Sequence, residues 1–116
     1  MTLSDLDRAA DWSPYRFGVL GLGIAGFACA DSLSQLGAQV VAADAGDSEA
    51  IRDKATLLEM LDVEVRVGAG AALPDELDVL VVSPGLRPSH PIIQTALARG
   101  VTVWGELELA WRLRDL

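Results

Sequence analysis

The chain has 116 residues, carries a net charge of −8 and is 51% hydrophobic. That length gives one compact domain with a sizeable core, and no apolar run reaches the length of a membrane span. The acidic balance argues against nucleic-acid binding, which needs a basic footprint, so an anionic ligand would have to be held by local backbone donors against an unfavourable overall field.

Residues 1–15 are polar and acidic, with Trp12 and Pro14 ahead of the first strand. They lack the basic start and long apolar stretch of a signal peptide. They read as an ordered N-terminal arm or as a short first helix capped by Ser4-Asp5-Leu6-Asp7, with the domain proper over 16–116. Residues 16–20 are an apolar strand. Gly21-Leu22-Gly23-Ile24-Ala25-Gly26 follows, then a helix over 24–36 with Gly26, Ala30, Leu33 and Leu36 on one stripe and Gly37 as its natural end. Within that helix Cys29, the single cysteine, reads as a small core residue. It excludes an internal disulfide and fits a reducing, cytoplasmic setting.

Val40-Val41-Ala42-Ala43 forms a second strand that ends in Asp44. Asp47 or Ser48 caps a second helix, whose apolar face is Leu57, Leu58 and Leu61; Lys54, the only lysine, lies exposed on it. Residues 63–67 alternate and read as a strand near a sheet edge, and 68–75 form a loop. Residues 77–82 are a strand whose continuous apolar run suits a parallel sheet covered on both faces. After the loop 83–88, Ser89 caps a third helix with Pro91 in its first turn and Gly100 beyond its end. Residues 101–104 are a fifth strand and 105–116 a final, peripheral helix with Leu107, Ala110 and Trp111 on its apolar stripe.

Strands alternating with helices specify an α/β fold: a Rossmann-like, doubly wound, five-stranded parallel sheet in a single domain. In the order 3-2-1-4-5 the topological switch point gathers Gly21–Gly26, Asp44 and Ser83-Pro84-Gly85 around one crevice. Each has a matching chemistry. Gly21 permits a tight turn, Gly23 a close approach of backbone to ligand, and Gly26 close packing of helix on strand. The free N–H groups at the helix start favour a phosphate or diphosphate. Asp44, about 20 residues beyond the glycines, would accept from a ribose hydroxyl or from the imide N–H of uracil. Ser83 and Gly85 offer a hydroxyl and backbone N–H groups beside the phosphate position. His90, the only histidine, reads as a residue at the helix start, and with no second histidine or cysteine pair a metal site is unsupported. No Walker-type phosphate loop and no nucleophile–base pair is readable.

These residues resemble the N-terminal domain of the bacterial Mur ligases, and most closely the D-glutamate-adding branch. The likeness is carried by 19–26, Ala43-Asp44, Val82-Ser83-Pro84-Gly85-Leu86, His90-Pro91 and Gly105-Glu106-Leu107-Glu108-Leu109. It implies a three-domain enzyme of peptidoglycan synthesis that joins D-glutamate to UDP-N-acetylmuramoyl-L-alanine with ATP and magnesium, through an acyl-phosphate. Here the resemblance implies a domain that binds the UDP moiety without catalysing: the backbone at Ile24 and Ala25 on the diphosphate, with Gly23 and Gly26 in the same site, Asp44 on the uracil, and Ser83 and Gly85 completing it. ATP, magnesium and the catalytic groups would belong to the central and C-terminal domains, leaving no cofactor or metal on this chain. Ala25 and Ala45-Gly46 depart from polar residues that other members carry, which implies weaker uridine contacts. An NAD-binding domain of a dehydrogenase, or of a nucleotide-sensing regulatory protein, fits the glycines and Asp44 as well.

Overall fold

The computed structural model describes residues 6, 10–74, 76–83 and 89–113. Its strands are β1 (Arg16–Leu20), β2 (Gln39–Asp44), β3 (Glu64–Val67), β4 (Val79–Val82) and β5 (Thr102–Gly105). Its helices are α1 (Ile24–Gln35), α2 (Glu49–Glu59), α3 (Pro91–Ala98) and α4 (Glu106–Arg112). All strand pairings are parallel, in the order β3-β2-β1-β4-β5. β1 and β4 therefore lie side by side, and the chain leaves them in opposite directions, which opens a crevice at their C-terminal ends.

The strand pattern divides the core in two. Phe17, Val19, Val40, Ala42, Val79, Val81 and Trp104 project to one face, where they meet Ala30 and Leu33 of α1, Leu58 of α2 and Leu109 of α4. Leu20, Leu80 and Val103 project to the other, against Ile93 and Ala96 of α3 and the leucines Leu73 and Leu77. β4 is buried on both sides, as its unbroken apolar run requires.

The N-terminal segment belongs to the first face. Leu6 and Trp12 are fully buried. The Trp12 ring packs 5.5 Å from Phe17 and 6.4 Å, edge-on, from Trp104. Arg112 completes this cluster: its guanidinium lies 4.2 Å from the Trp104 ring centroid and Nη1 donates to the Leu6 carbonyl at 3.0 Å.

Two helix faces and one helix cap differ from the sequence reading. On α2 the buried residues are Ala55 and Leu58, while Leu57 and Leu61 are exposed. Ile51, Ala55 and Leu58 follow the i, i+4, i+7 spacing that one helix face needs. On α4 the expected stripe points outward: Leu107 is 81% and Trp111 62% exposed. Leu109 and Leu113 pack inward instead, because Arg112 can lie over Trp104 with its charged end satisfied. α3 is capped by His90 and not by Ser89. Pro91 takes the first helical position, where its missing N–H costs nothing, and this sets the cap one residue later. Among the described residues no helix is long and apolar enough to cross a membrane.

Candidate functional site

The glycine loop is held by its middle residue. The Leu22 side chain is fully buried, its N–H donates to Asp44 Oδ2 at 2.7 Å, and its carbonyl accepts from Lys54 Nζ at 3.3 Å. The Gly21 N–H donates to the Ala43 carbonyl at 2.8 Å. Lys54 is therefore partly buried against the loop, not exposed as its surroundings in the sequence suggest; its long side chain reaches back from α2 to a carbonyl that would otherwise lack a partner.

The glycines divide their work. Gly21 has φ +97°, a left-handed conformation that glycine adopts without penalty. At Gly26 an added Cβ would lie 1.9 Å from the Gly21 carbonyl oxygen, so α1 approaches the turn as closely as only glycine permits. Gly23 is different. It has ordinary extended dihedrals as the N-cap of α1, and a Cβ there would meet nothing within 4 Å. Gly23 also lines a cavity of about 360 Å³, together with Gly21, Ile24, Ala25, Gly26, Ser83 and Glu106. No side chain caps α1. Its first N–H groups thus face a cleft suited to an anion.

A second cavity of about 230 Å³ shares Gly21 and lies toward β2, with Asp44, Ala45, Ala71, His90 and Ile92 in its wall. Asp44 is anchored before any ligand arrives. Oδ2 holds Leu22, and Oδ1 accepts from the Gly46 N–H at 2.8 Å. Two bonds leave a carboxylate with further acceptor capacity. His90 Nδ1 accepts from the Ile92 N–H at 3.2 Å, which caps α3 and fixes the ring.

Gly23, Ile24, Ala25, Gly26 and Ser83 thus share one cavity, and Asp44 lies in its neighbour. Gly85 lies outside the described residues, as do Pro84 and 86–88. Two wall residues, named in the sequence but not assigned to the site, join it in the structure. Glu106 lines the first cavity with the glycine loop, and burial raises its pKa from the ordinary carboxyl value. Its signals in the sequence were its place directly after a strand that ends at the crevice and its place in the last segment that carries the family resemblance. His90 enters the second cavity by the same logic of topology, in addition to its place at the helix start. Cys29 is half-buried, and its thiol is pushed up to about 11 by burial and by Glu106, which makes it a poor nucleophile. Among the described residues no group of three or more His, Cys, Asp or Glu is gathered as a metal site would need.

Residues 15–105 match the family described as Mur ligase MurD-like, N-terminal domain. A protein of Streptomyces coelicolor named UDP-N-acetylmuramoylalanine–D-glutamate ligase is 47% identical over 98 residues, which is 84% of this chain and 21% of that protein. One of the same name from Leifsonia xyli is 42% identical over 112 residues, covering 91% of this chain and 21% of its own. The chain therefore spans about a fifth of the length of the curated relatives it matches. Among solved structures, a murein peptide ligase from Psychrobacter arcticus superposes with a TM-score of 0.69 at 21% identity, over 83% of this chain and 20% of that one. A D-lactate dehydrogenase from Treponema pallidum does so at 0.54 and 20%, over 90% and 34%. At these identities the two structures share the fold.

Proposed function

Because this chain belongs to the MurD-like N-terminal domains of the Mur ligases, we propose that it holds the uridine diphosphate part of UDP-N-acetylmuramoyl-L-alanine for an ATP-dependent ligase that adds D-glutamate to it. The observation that carries this reading is the pair of cavities meeting at Gly21, one walled by the glycine backbone and the start of α1, the other by Asp44.

On this reading the diphosphate lies against Gly23, Ile24, Ala25 and Gly26, where free N–H groups and the helix dipole favour negative charge. Ser83 borders it from the β4 side, and the resemblance adds Gly85, outside the described residues, to the same site. Asp44 accepts from the uracil imide while it braces Leu22. Domain closure, ATP, magnesium and the acyl-phosphate chemistry belong to other domains of a three-domain ligase, and this chain alone binds without catalysing. It orients one end of the substrate and leaves the reacting carboxyl to the rest of the enzyme. Ala25 and Ala45 contribute no side-chain hydrogen bond, so the affinity of this chain alone is modest.

The test is a titration of the chain, by calorimetry with NMR mapping, against UDP-N-acetylmuramoyl-L-alanine, UDP and NAD in parallel. The uridine ligands should bind in preference, with shifts at Gly23–Gly26, Asp44 and Ser83. Preference for NAD would overturn the reading in favour of a dehydrogenase or sensor domain.

A further inference from the structure

His90 has one ring nitrogen committed and one available. Nδ1 accepts the Ile92 N–H at 3.2 Å, and a neutral imidazole that accepts at Nδ1 carries its proton on Nε2. The ring borders the same cavity as Asp44, and Nε2 makes no hydrogen bond to any described residue. This cavity therefore presents a fixed acceptor, the Asp44 carboxylate, together with a donor whose tautomer is set by the helix cap. The rest of its wall is small or apolar: Leu20, Ala43, Ala45, Ala71 and Ile92. The volume, about 230 Å³, suits one heterocyclic ring.

An imide matches this pair. It offers an N–H flanked by carbonyl oxygens, so one edge donates to a carboxylate and accepts from an imidazole N–H. Cytosine keeps the 2-carbonyl but offers the reverse at the other two positions, an acceptor nitrogen facing the carboxylate and a 4-amino group where uracil has its 4-carbonyl. We infer that His90 is a specificity-determining residue of the base cavity, its Nε2–H donating to the 4-carbonyl of an imide nucleobase whose N–H is taken by Asp44. This rests on the uridine reading above and adds what selects the base. The cap and the contact are one device: the bond that starts α3 also decides which nitrogen carries the proton.

The test uses His90→Asn. Asparagine is a strong N-cap whose side-chain oxygen replaces Nδ1, but its amide stops short of the Nε2 position. UDP and CDP are titrated into the chain and the variant by calorimetry, with melting temperatures in parallel. UDP should bind the variant about fivefold more weakly, the size of one neutral hydrogen bond, with CDP affinity and melting temperature unchanged, so that selectivity narrows. A second arm leaves the protein untouched: 4-thio-UDP, whose sulfur is a poorer acceptor, should bind the parent chain more weakly than UDP and show no such loss in His90→Asn, while a His90-dependent loss with 2-thio-UDP instead overturns the selectivity. Equal UDP binding by chain and variant overturns the role of His90 and leaves the uridine reading standing. Equal losses of UDP and CDP with a lower melting temperature overturn it too, making His90 a helix cap alone. No UDP binding by the parent chain removes the uridine reading and this inference with it.

Discussion

The two cavities that meet at Gly21 are built from different materials. The first is walled largely by backbone, and its described polar side chains, Ser83 and Glu106, come from other strand ends. The second is walled by side chains, with Asp44 and His90 as its polar members among the described residues. Backbone donors recognise negative charge and are insensitive to which residue supplies them. Side chains recognise a pattern of donors and acceptors and are lost with one substitution. A diphosphate is common to many ligands, whereas a base distinguishes them. The division thus assigns general affinity to the loop and selectivity to β2 and α3.

The largest effect should come from the one residue on which the first cavity depends structurally. Gly26→Ala drives a methyl into the Gly21 carbonyl and should cost about 3 kcal/mol, roughly 10–20 °C in Tm, by thermal melting. Gly23→Val is the contrast. Its Cβ enters open space, so the chain should melt only a few degrees below the parent, by the roughly 1 kcal/mol that valine costs at an N-cap, while UDP affinity by calorimetry falls by about thirtyfold or more through occlusion of the anion position, about 2 kcal/mol. If Gly23→Val melts early, the separation of fold from binding along the motif is wrong.

Asp44→Asn bears on the boundary between the cavities. The carboxylate receives two backbone N–H groups, from Leu22 and Gly46, and an amide can accept at one oxygen only. A loss of about 1–2 kcal/mol in stability is expected, together with weaker uridine binding. The contribution of Asp44 to binding is therefore read by comparing UDP with CDP, not from UDP alone. The smallest effect should be at Glu106. Burial raises its pKa, so the protonated form is favoured in the folded chain. That contribution is complete below the ordinary carboxyl range and is lost as the pH rises through the raised value. Relative to Glu106→Gln, the parent chain should lose melting temperature as the pH rises from the ordinary carboxyl range through the raised value. At neutral pH the variant should bind UDP about threefold more tightly, as one like charge is removed from a solvated cleft.

Sheet order and loop positions were legible in the sequence because period-two and continuous apolar runs, glycine turns and helix caps all agreed on one topology. Gly26, Ala30 and Leu33 are buried as their spacing requires. The helix faces were less legible where two apolar stripes competed. On α4 the choice between Leu107/Trp111 and Leu109/Leu113 is made by Trp104 in the strand just before it, by Trp12, far away in sequence, and by an arginine able to lie inward. Lys54 was hidden for the same reason, since nothing local shows that its amine meets a loop carbonyl at 3.3 Å. Asp44 was legible as a wall residue but not as a brace, because its partners are backbone groups whose positions exist only once the turn has formed.

Arg112 reaches the Leu6 carbonyl across 106 positions of sequence, and Glu106, at the other end of the same short helix, faces the glycine loop. α4 is thus a two-ended latch. One end fastens the N-terminal segment over Trp104, and the other forms part of the anion cavity. Segments that share one such helix exchange their amide protons as a single cooperative unit. A ligand that binds only while the latch is shut slows that exchange by mass action. Protection at the Tyr15 amide, which donates to the Trp12 carbonyl just before β1, should therefore report occupancy of a cavity lined by the loop at the other end of that strand.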